Sequence, residues 1–189
     1  MSPITARVPL ILLVLLIGNR TLPVWAGDWT PAVEVRQESE RCLSYRARWS
    51  GPVLVVQARL EPGWHTFAID NKERALEKLA GRKSLGIDLP TEIKVSEGLE
   101  VIGPWFQSPP KDFSKPELRW FSWGFDDEAL FAVKVRRTAA GPARVSVRAQ
   151  ACTETTCRNI DVSFSVPLQE GDGQNEQGVL DFERMVRVR

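Results

Sequence analysis

The chemistry that this sequence encodes most clearly is that of a cysteine pair. Cys152 and Cys157 are separated by the four residues Thr-Glu-Thr-Thr, and the flanking segments 143–149 and 160–166 both alternate apolar with polar side chains. This alternation predicts two β-strands joined as a hairpin. Directly opposed positions in an antiparallel pair have the Cβ spacing that a disulfide needs. The spacing therefore predicts a disulfide across the hairpin.

The value of such a bridge to folding is small. Closing so short a loop contributes about 2 kcal/mol by chain entropy, against about 4.7 kcal/mol for a loop of about 100 residues. A bridge that adds little stability and lies at a polar turn suits a redox role better than a structural one, since exposed bridges are the labile ones.

Two other residues have side chains suited to chemistry or metal binding, namely the third cysteine and the only histidine. Cys42, Cys152, Cys157 and His65 together have the composition of a Cys₃His zinc site. No second paired ligand motif supports this alternative, and metal analysis of the purified protein distinguishes it from a disulfide. His65 has no accompanying nucleophile motif, so we expect no hydrolase, no metal site and no cofactor.

The first 26 residues have the pattern of a signal peptide. Arg7 gives a positive start, residues 8–18 form an apolar run too short to span a bilayer, and Val24-Trp25-Ala26 provides a cleavage site. We expect cleavage near Ala26, export of the mature chain, and no membrane span in it.

Charge and length limit the remaining function classes. The 189 residues carry 25 basic and 24 acidic side chains, and removing Arg7 and Arg20 with the signal peptide leaves 25 − 2 = 23 basic against 24 acidic, a net charge of −1. This balance predicts neither nucleic-acid binding nor a polybasic membrane anchor. Export favours disulfides, which leaves Cys42 unpaired, and the strand-like segment around it predicts burial.

The elements around the cysteine pair are mostly short β segments with Pro and Gly turns. They are predicted at residues 32–36, 42–49, 53–60, 64–69, 92–95, 99–102 and 130–135. One helix is predicted to begin at Asp70, with Glu73 completing a capping box, and to end at Gly81. Residues 103–116 contain four prolines and are predicted to be a long surface loop. This pattern predicts an all-β sandwich.

The predicted domain organisation is simple. Residues 1–26 are the signal peptide, 27–168 one β-sandwich domain, and 169–189 a polar linker and C-terminal tail. Within that tail, residues 179–189 are predicted to add a terminal strand or short helix.

Three segments together resemble one family. They are residues 60–67 (LEPGWHTF), residues 123–135 (WGFDDEALFAVKV) and residues 150–157 (QACTETTC). Their order and spacing are similar to those of the periplasmic N-terminal domain of the disulfide reductase DsbD, over about residues 32–168. The resemblance implies an immunoglobulin-like β-sandwich with one short helical insertion.

The resemblance also implies a function and a site. Cys152 and Cys157 are the exchanging pair, which relays electrons between a thioredoxin-like protein or membrane thiol carrier and periplasmic acceptor proteins. His65 and Phe67 flank the pair. The aromatic cap that shields the family's sulfurs falls within residues 120–125, which hold Trp120, Phe121, Trp123 and Phe125.

The chain also departs from that family. Arg158 and Asn159 stand where the family has Pro-Pro after the second cysteine, and no transmembrane carrier segment follows, so we expect separate proteins to supply that step. Nothing in the sequence near Cys152 lowers its pKa, which favours a relay attacked by a partner's thiolate over an autonomous catalyst. The alternative is a non-catalytic immunoglobulin-like interaction module with an inert hairpin disulfide.

Overall fold

A computed structural model describes residues 29–84, 86, 88–168 and 182–189. The predicted signal peptide and residues 169–181 of the predicted linker lie outside the described residues. Among those described, no helix is long and apolar enough to cross a membrane.

The described chain forms twelve strands and one α-helix. They are β1 (Val33–Gln37), β2 (Glu40–Ser50), β3 (Val53–Leu60), β4 (His65–Phe67), α1 (Asn71–Leu79), β5 (Glu92–Ser96), β6 (Leu99–Gln107), β7 (Lys111–Asp112), β8 (Trp123–Phe125), β9 (Glu128–Arg137), β10 (Ala143–Cys152), β11 (Cys157–Val166) and β12 (Val186–Arg187).

These strands make two six-stranded sheets. The first has the order β1-β2-β3-β9-β6-β12, and the second has the order β11-β10-β4-β8-β7 with β5 also paired to β10. All of the pairs are antiparallel. Among the described strands, β11 therefore lies at an edge, whereas β10 has neighbours on both sides.

The core lies between the two sheets. Tyr45 and Leu54 of the first sheet and Val145 and Val147 of the second are all fully buried in one apolar cluster. Each such side chain contributes on the order of 2 kcal/mol by leaving water. The predicted fold class is confirmed: the chain is an all-β, immunoglobulin-like β-sandwich with one short helical insertion.

Helix α1 begins after Asp70, as predicted, but the predicted capping box is wrong. The Asp70 side chain makes no capping hydrogen bond. Its Oδ1 instead accepts from Nε of Arg74 at 2.8 Å and from Nε2 of Gln107 at 2.7 Å. The helix ends at Leu79, and its C-cap residue Ala80 has left-handed backbone angles and precedes the predicted stop, Gly81.

The predicted loop over residues 103–116 is also wrong in its first part, because β6 continues to Gln107. Val101 pairs with Val135 and Trp105 pairs with Val133, so four steps along β6 match two steps along β9. The extra residues form a bulge, and Pro104 lies within it, where no ladder hydrogen bond is required.

A terminal strand or short helix is predicted for residues 179–189, and the described part has a short 3₁₀ turn at Phe182–Arg184 followed by strand β12. Val186 and Arg187 pair with β6, and the side chains of Phe182 and Met185 pack on the outer face of the first sheet, beside Val55. The end of the chain is therefore part of the sandwich.

Candidate redox site at the β10–β11 hairpin

The two cysteines end the two strands of the hairpin. Cys152 and Cys157 are directly opposed in the ladder, and a disulfide of 2.09 Å joins their sulfurs. The turn is held by Thr153, whose backbone N–H donates to the carbonyl of Thr156 at 2.8 Å and whose Oγ1 accepts from two backbone N–H groups at 3.2 Å. The predicted disulfide is confirmed.

The two cysteines differ in exposure. Cys152 is only 2% exposed, whereas Cys157 lies at the surface. The position of each strand in the sheet explains the difference, since Cys152 is on the central strand β10 and Cys157 is on the edge strand β11. Both lie on the outer face of the second sheet. Side chains alternate between the two faces of a strand, and Ala151, the residue before Cys152, faces the core. A nucleophile from solvent therefore reaches Cys157 more easily.

His65 lies beside the buried cysteine. It is the ladder partner of Cys152 on β4. Its ring packs edge-on against Phe67, with centroids 5.4 Å apart, and in a tilted arrangement against Phe113, with centroids 5.3 Å apart. Phe67 is 1% exposed. The site thus joins the disulfide, one imidazole and two phenyl rings on one face of the sheet.

The charge state of His65 follows from its surroundings. Burial lowers the pKa of His65, and Lys115 acts in the same direction, while Asp88 and Asp126 partly oppose them. An ordinary histidine has a pKa of about 6.5. The imidazole is therefore neutral at pH 7 and available as a hydrogen-bonding group next to Cys152.

Phe113 reaches the site because β7 and β8 approach β4 closely. Gly124 of β8 makes this possible, since a Cβ at that position would lie 2.0 Å from the carbonyl oxygen of Thr66. Lys111 of β7 pairs with Gly124, and the Phe113 N–H donates to the Ser122 carbonyl at 2.9 Å. This arrangement lays the segment after β7 over the outer face of the sheet.

Sequence reasoning placed Phe113 in a surface loop and gave it no role. The only local signal was a single aromatic residue in a charged, proline-rich segment. Its contact with His65 depends on the β7–β8 pairing, which a two-residue strand does not reveal in sequence.

The four predicted cap residues occupy different places. Phe125 and Trp123 are in the core between the sheets, and the Phe125 ring packs edge-on against Phe131 at 5.7 Å. Trp120 and Phe121 are half-buried. Among the described residues, none of the four has a ring contact with His65, where Phe113 and Phe67 do.

A polar network ties this face to helix α1. Asn71 is fully buried, and its Nδ2 donates to the carbonyl of Asp88 at 2.9 Å while its Oδ1 accepts from the N–H of Trp123 at 2.7 Å. The Trp120 indole N–H donates to the Asp88 carboxylate at 2.8 Å. The helix thereby fixes the loop that carries Asp88 beside His65.

Cys42 is a free thiol and fully buried, as predicted. Burial raises the pKa of the Cys42 thiol, which makes it a poor nucleophile. Two of the four residues of the alternative zinc site are joined in the disulfide, and the described residues contain no group of three or more His, Cys, Asp or Glu placed to hold a metal ion.

Comparisons with known proteins give similarity only at the level of structure. No protein-family model matches the chain, and no curated protein sequence matches it. The N-terminal domain of DsbD from Neisseria meningitidis in the reduced form is 14% identical, with 67% of this chain and 85% of that chain covered and a TM-score of 0.46. The DsbD–PilB N-terminal domain complex of the same organism gives 13% identity, 69% and 85% coverage and a TM-score of 0.43.

A yeast domain is also similar. The GAE domain of GGA2p from Saccharomyces cerevisiae is 12% identical, with 72% of this chain and 98% of that chain covered and a TM-score of 0.36. Similarity at this level does not assign a function, so the function rests on the site itself.

Proposed function

We propose that this chain is an exported thiol–disulfide exchange domain. It relays electrons between a thioredoxin-like donor, or a membrane thiol carrier, and periplasmic acceptor proteins through Cys152 and Cys157. The observation that supports this most is the unequal exposure of the two cysteines, since it directs attack to one sulfur and leaves the other as a protected leaving group.

The exchange proceeds in two steps on the way in. A donor thiolate attacks Sγ of Cys157, the Cys152–Cys157 bond breaks, and Cys152 leaves as a thiolate that takes up a proton. The donor's second thiolate then attacks the donor's first sulfur in the mixed disulfide and releases Cys157 as a thiolate, which takes up the second proton. The donor is oxidised to a disulfide, and this chain gains two electrons and two protons as a dithiol.

Electrons leave by the reverse sequence. The Cys157 thiolate attacks an acceptor disulfide, one acceptor thiolate leaves, and a mixed disulfide forms. Cys152 then loses its proton and attacks Cys157, which releases the second acceptor thiolate and restores the internal bridge. The acceptor is reduced by two electrons.

His65 and Phe113 support this role in two different ways. The neutral imidazole of His65, the ladder partner of Cys152, is placed to exchange a hydrogen bond with the departing thiolate or its proton. Phe113, packed on that imidazole, limits access of small oxidants to the reduced pair. In this proposal Phe113 takes the shielding role that the family resemblance gave to residues 120–125.

The direct test is electron transfer from a protein donor. The oxidised chain is mixed with a reduced thioredoxin-like periplasmic protein, and the thiols of each are counted by alkylation and mass spectrometry. We expect this chain to gain two thiols and the donor to lose two. A bridge that stays oxidised with every such donor, but opens in excess dithiothreitol, would instead assign the chain to the inert interaction module.

A further inference from the structure

Beside the disulfide, the outer face of the second sheet carries a groove with no assigned role. It has a volume of about 270 Å³, and loop residues that precede β5 form one wall while β10 and β11 form the floor. Its lining includes Leu89, Pro90, Glu92, Arg148, Asn159 and Asp161.

The groove begins close to the exposed cysteine. Asn159 is the next residue after Cys157 on the same face of β11, and Asp161 follows it. At about 3.4 Å per residue, these positions lie roughly 7 Å and 14 Å from Cys157 along the strand. A chain segment covalently held at Cys157 therefore reaches the groove within two to four residues.

The other side of the disulfide is already covered. His65 lies next to Cys152, and Phe113 packs on His65, so the segment after β7 occupies the outer face there. A protein that bonds to Cys157 must place its neighbouring residues where the face is open. The groove lies on this open part of the face.

The lining of the groove defines what fits it. Leu89 is 52% exposed and forms an apolar wall with Pro90. The floor is polar: Arg148 and Asp161 form only a loose ion pair at 3.7 Å, with side chains 65% and 76% exposed. An extended peptide matches this lining, with one apolar side chain against the wall and its polar backbone over the floor.

We propose that this groove binds the extended segment that flanks the reactive cysteine of the thiol partner, with an apolar partner side chain against Leu89 and Pro90. This inference rests on the proposed exchange function and adds to it the surface that selects protein partners over small thiols. The groove acts on encounter and alignment, and it leaves the chemistry at the sulfurs unchanged.

The experiment compares reduction by two reductants. Rate constants for opening of the disulfide are measured with a reduced thioredoxin-like protein and with dithiothreitol, for the full mature chain and for Leu89→Glu. The matched control is Leu76→Glu on helix α1, because Leu76 is 51% exposed and lies outside the groove lining. Leu89→Ala removes the apolar contact without adding charge.

The expected result is selective. Leu89→Glu slows reduction by the protein about tenfold, as expected for losing one buried aliphatic contact. Leu89→Ala slows it less, Leu76→Glu leaves it unchanged, and all four proteins react with dithiothreitol within about twofold of each other, a spread worth well under 1 kcal/mol.

Four results would overturn the proposal. If the protein donor reduces the wild type and Leu89→Glu equally fast, the groove has no part in docking, although the exchange function stands. If Leu76→Glu slows reduction by the protein donor as much as Leu89→Glu does, the slowing is a general effect of the added negative charge. Sedimentation that shows self-association of the wild type, lost in Leu89→Glu, would assign the groove to a second copy. A wild type that no protein donor reduces removes both the exchange function and this inference.

Discussion

Cys152 and Cys157 are directly opposed in the β10–β11 ladder, yet Cys152 is 2% exposed and Cys157 lies at the surface. The difference comes from strand position, since β10 is central and β11 is an edge strand. An edge position exposes one sulfur of a bridge without exposing the other. The proposed exchange depends on this asymmetry more than on any other feature.

The disulfide should contribute little to folding. Replacing both cysteines by serine should lower the free energy of unfolding by no more than about 2 kcal/mol, because the bridge closes only a short loop. Urea denaturation followed by tryptophan fluorescence measures the change. A double variant that fails to fold would show that the bridge is a structural staple.

Phe113 should protect the reduced pair. Phe113→Ala should speed oxidation of the Cys152–Cys157 dithiol by a small disulfide such as oxidised glutathione by several-fold, because the variant opens the His65 side of the site. Stopped-flow fluorescence or timed alkylation follows the reaction.

The matched control for that variant is Phe106→Ala. The Phe106 ring is also half-buried and packs edge-on against Phe182 at 5.0 Å, but on the first sheet. It should leave the oxidation rate unchanged. Phe125 is not a usable probe because it is in the core, where Phe→Ala costs about 3–5 kcal/mol. Equal oxidation rates for Phe113→Ala and the wild type would show that Phe113 does not shield the reduced pair.

Asp70 should control stability at acid pH. Burial acts to raise the pKa of Asp70, but hydrogen bonds from Arg74 and Gln107 and the charge of Arg74 outweigh it, so the pKa is lowered. A carboxyl with a lowered folded-state pKa stabilises the fold above its ordinary value, near 3.9, and that contribution is lost as the pH falls through the lowered value.

The test is Asp70→Asn. It should cost about 3 kcal/mol at pH 7, because the buried Arg74 charge loses its partner, and it should flatten the stability profile below about pH 4. Asp126→Asn is the control, since its ion pair with Lys111 is exposed on both sides and is worth at most about 1 kcal/mol. An Asp70→Asn profile as steep as that of the wild type would show that another group causes the acid sensitivity.

The hairpin was predictable from sequence because period-two alternation and a four-residue polar turn fix its register. Once residues 143–149 and 160–166 are strands, Cys152 and Cys157 must face each other. The unequal exposure was not predictable, since it depends on which strand lies at the sheet edge, and local pattern does not carry sheet order.

The parts that sequence reasoning missed share a cause. The continuation of β6 past Pro104 needs a bulge, and the placement of Phe113 needs Gly124 to let β8 approach β4. The sequence predicts that Asp70 caps helix α1, but its carboxylate instead accepts a hydrogen bond from Gln107, which is distant in the sequence. In each case a contact between distant segments overrides the local signal.

The most direct test of the exchange account is covalent trapping with single-cysteine variants. Cys152→Ser and Cys157→Ser are each expressed in a Cys42→Ser background and separated on a non-reducing gel, and adducts are identified by mass spectrometry. Because Cys157 is the exposed sulfur, Cys152→Ser should form a reducible mixed disulfide with a thioredoxin-like protein, and Cys157→Ser should form little. Equal trapping by the two variants would contradict the assignment of Cys157 as the attacked sulfur, and no adduct with either would contradict the exchange function itself.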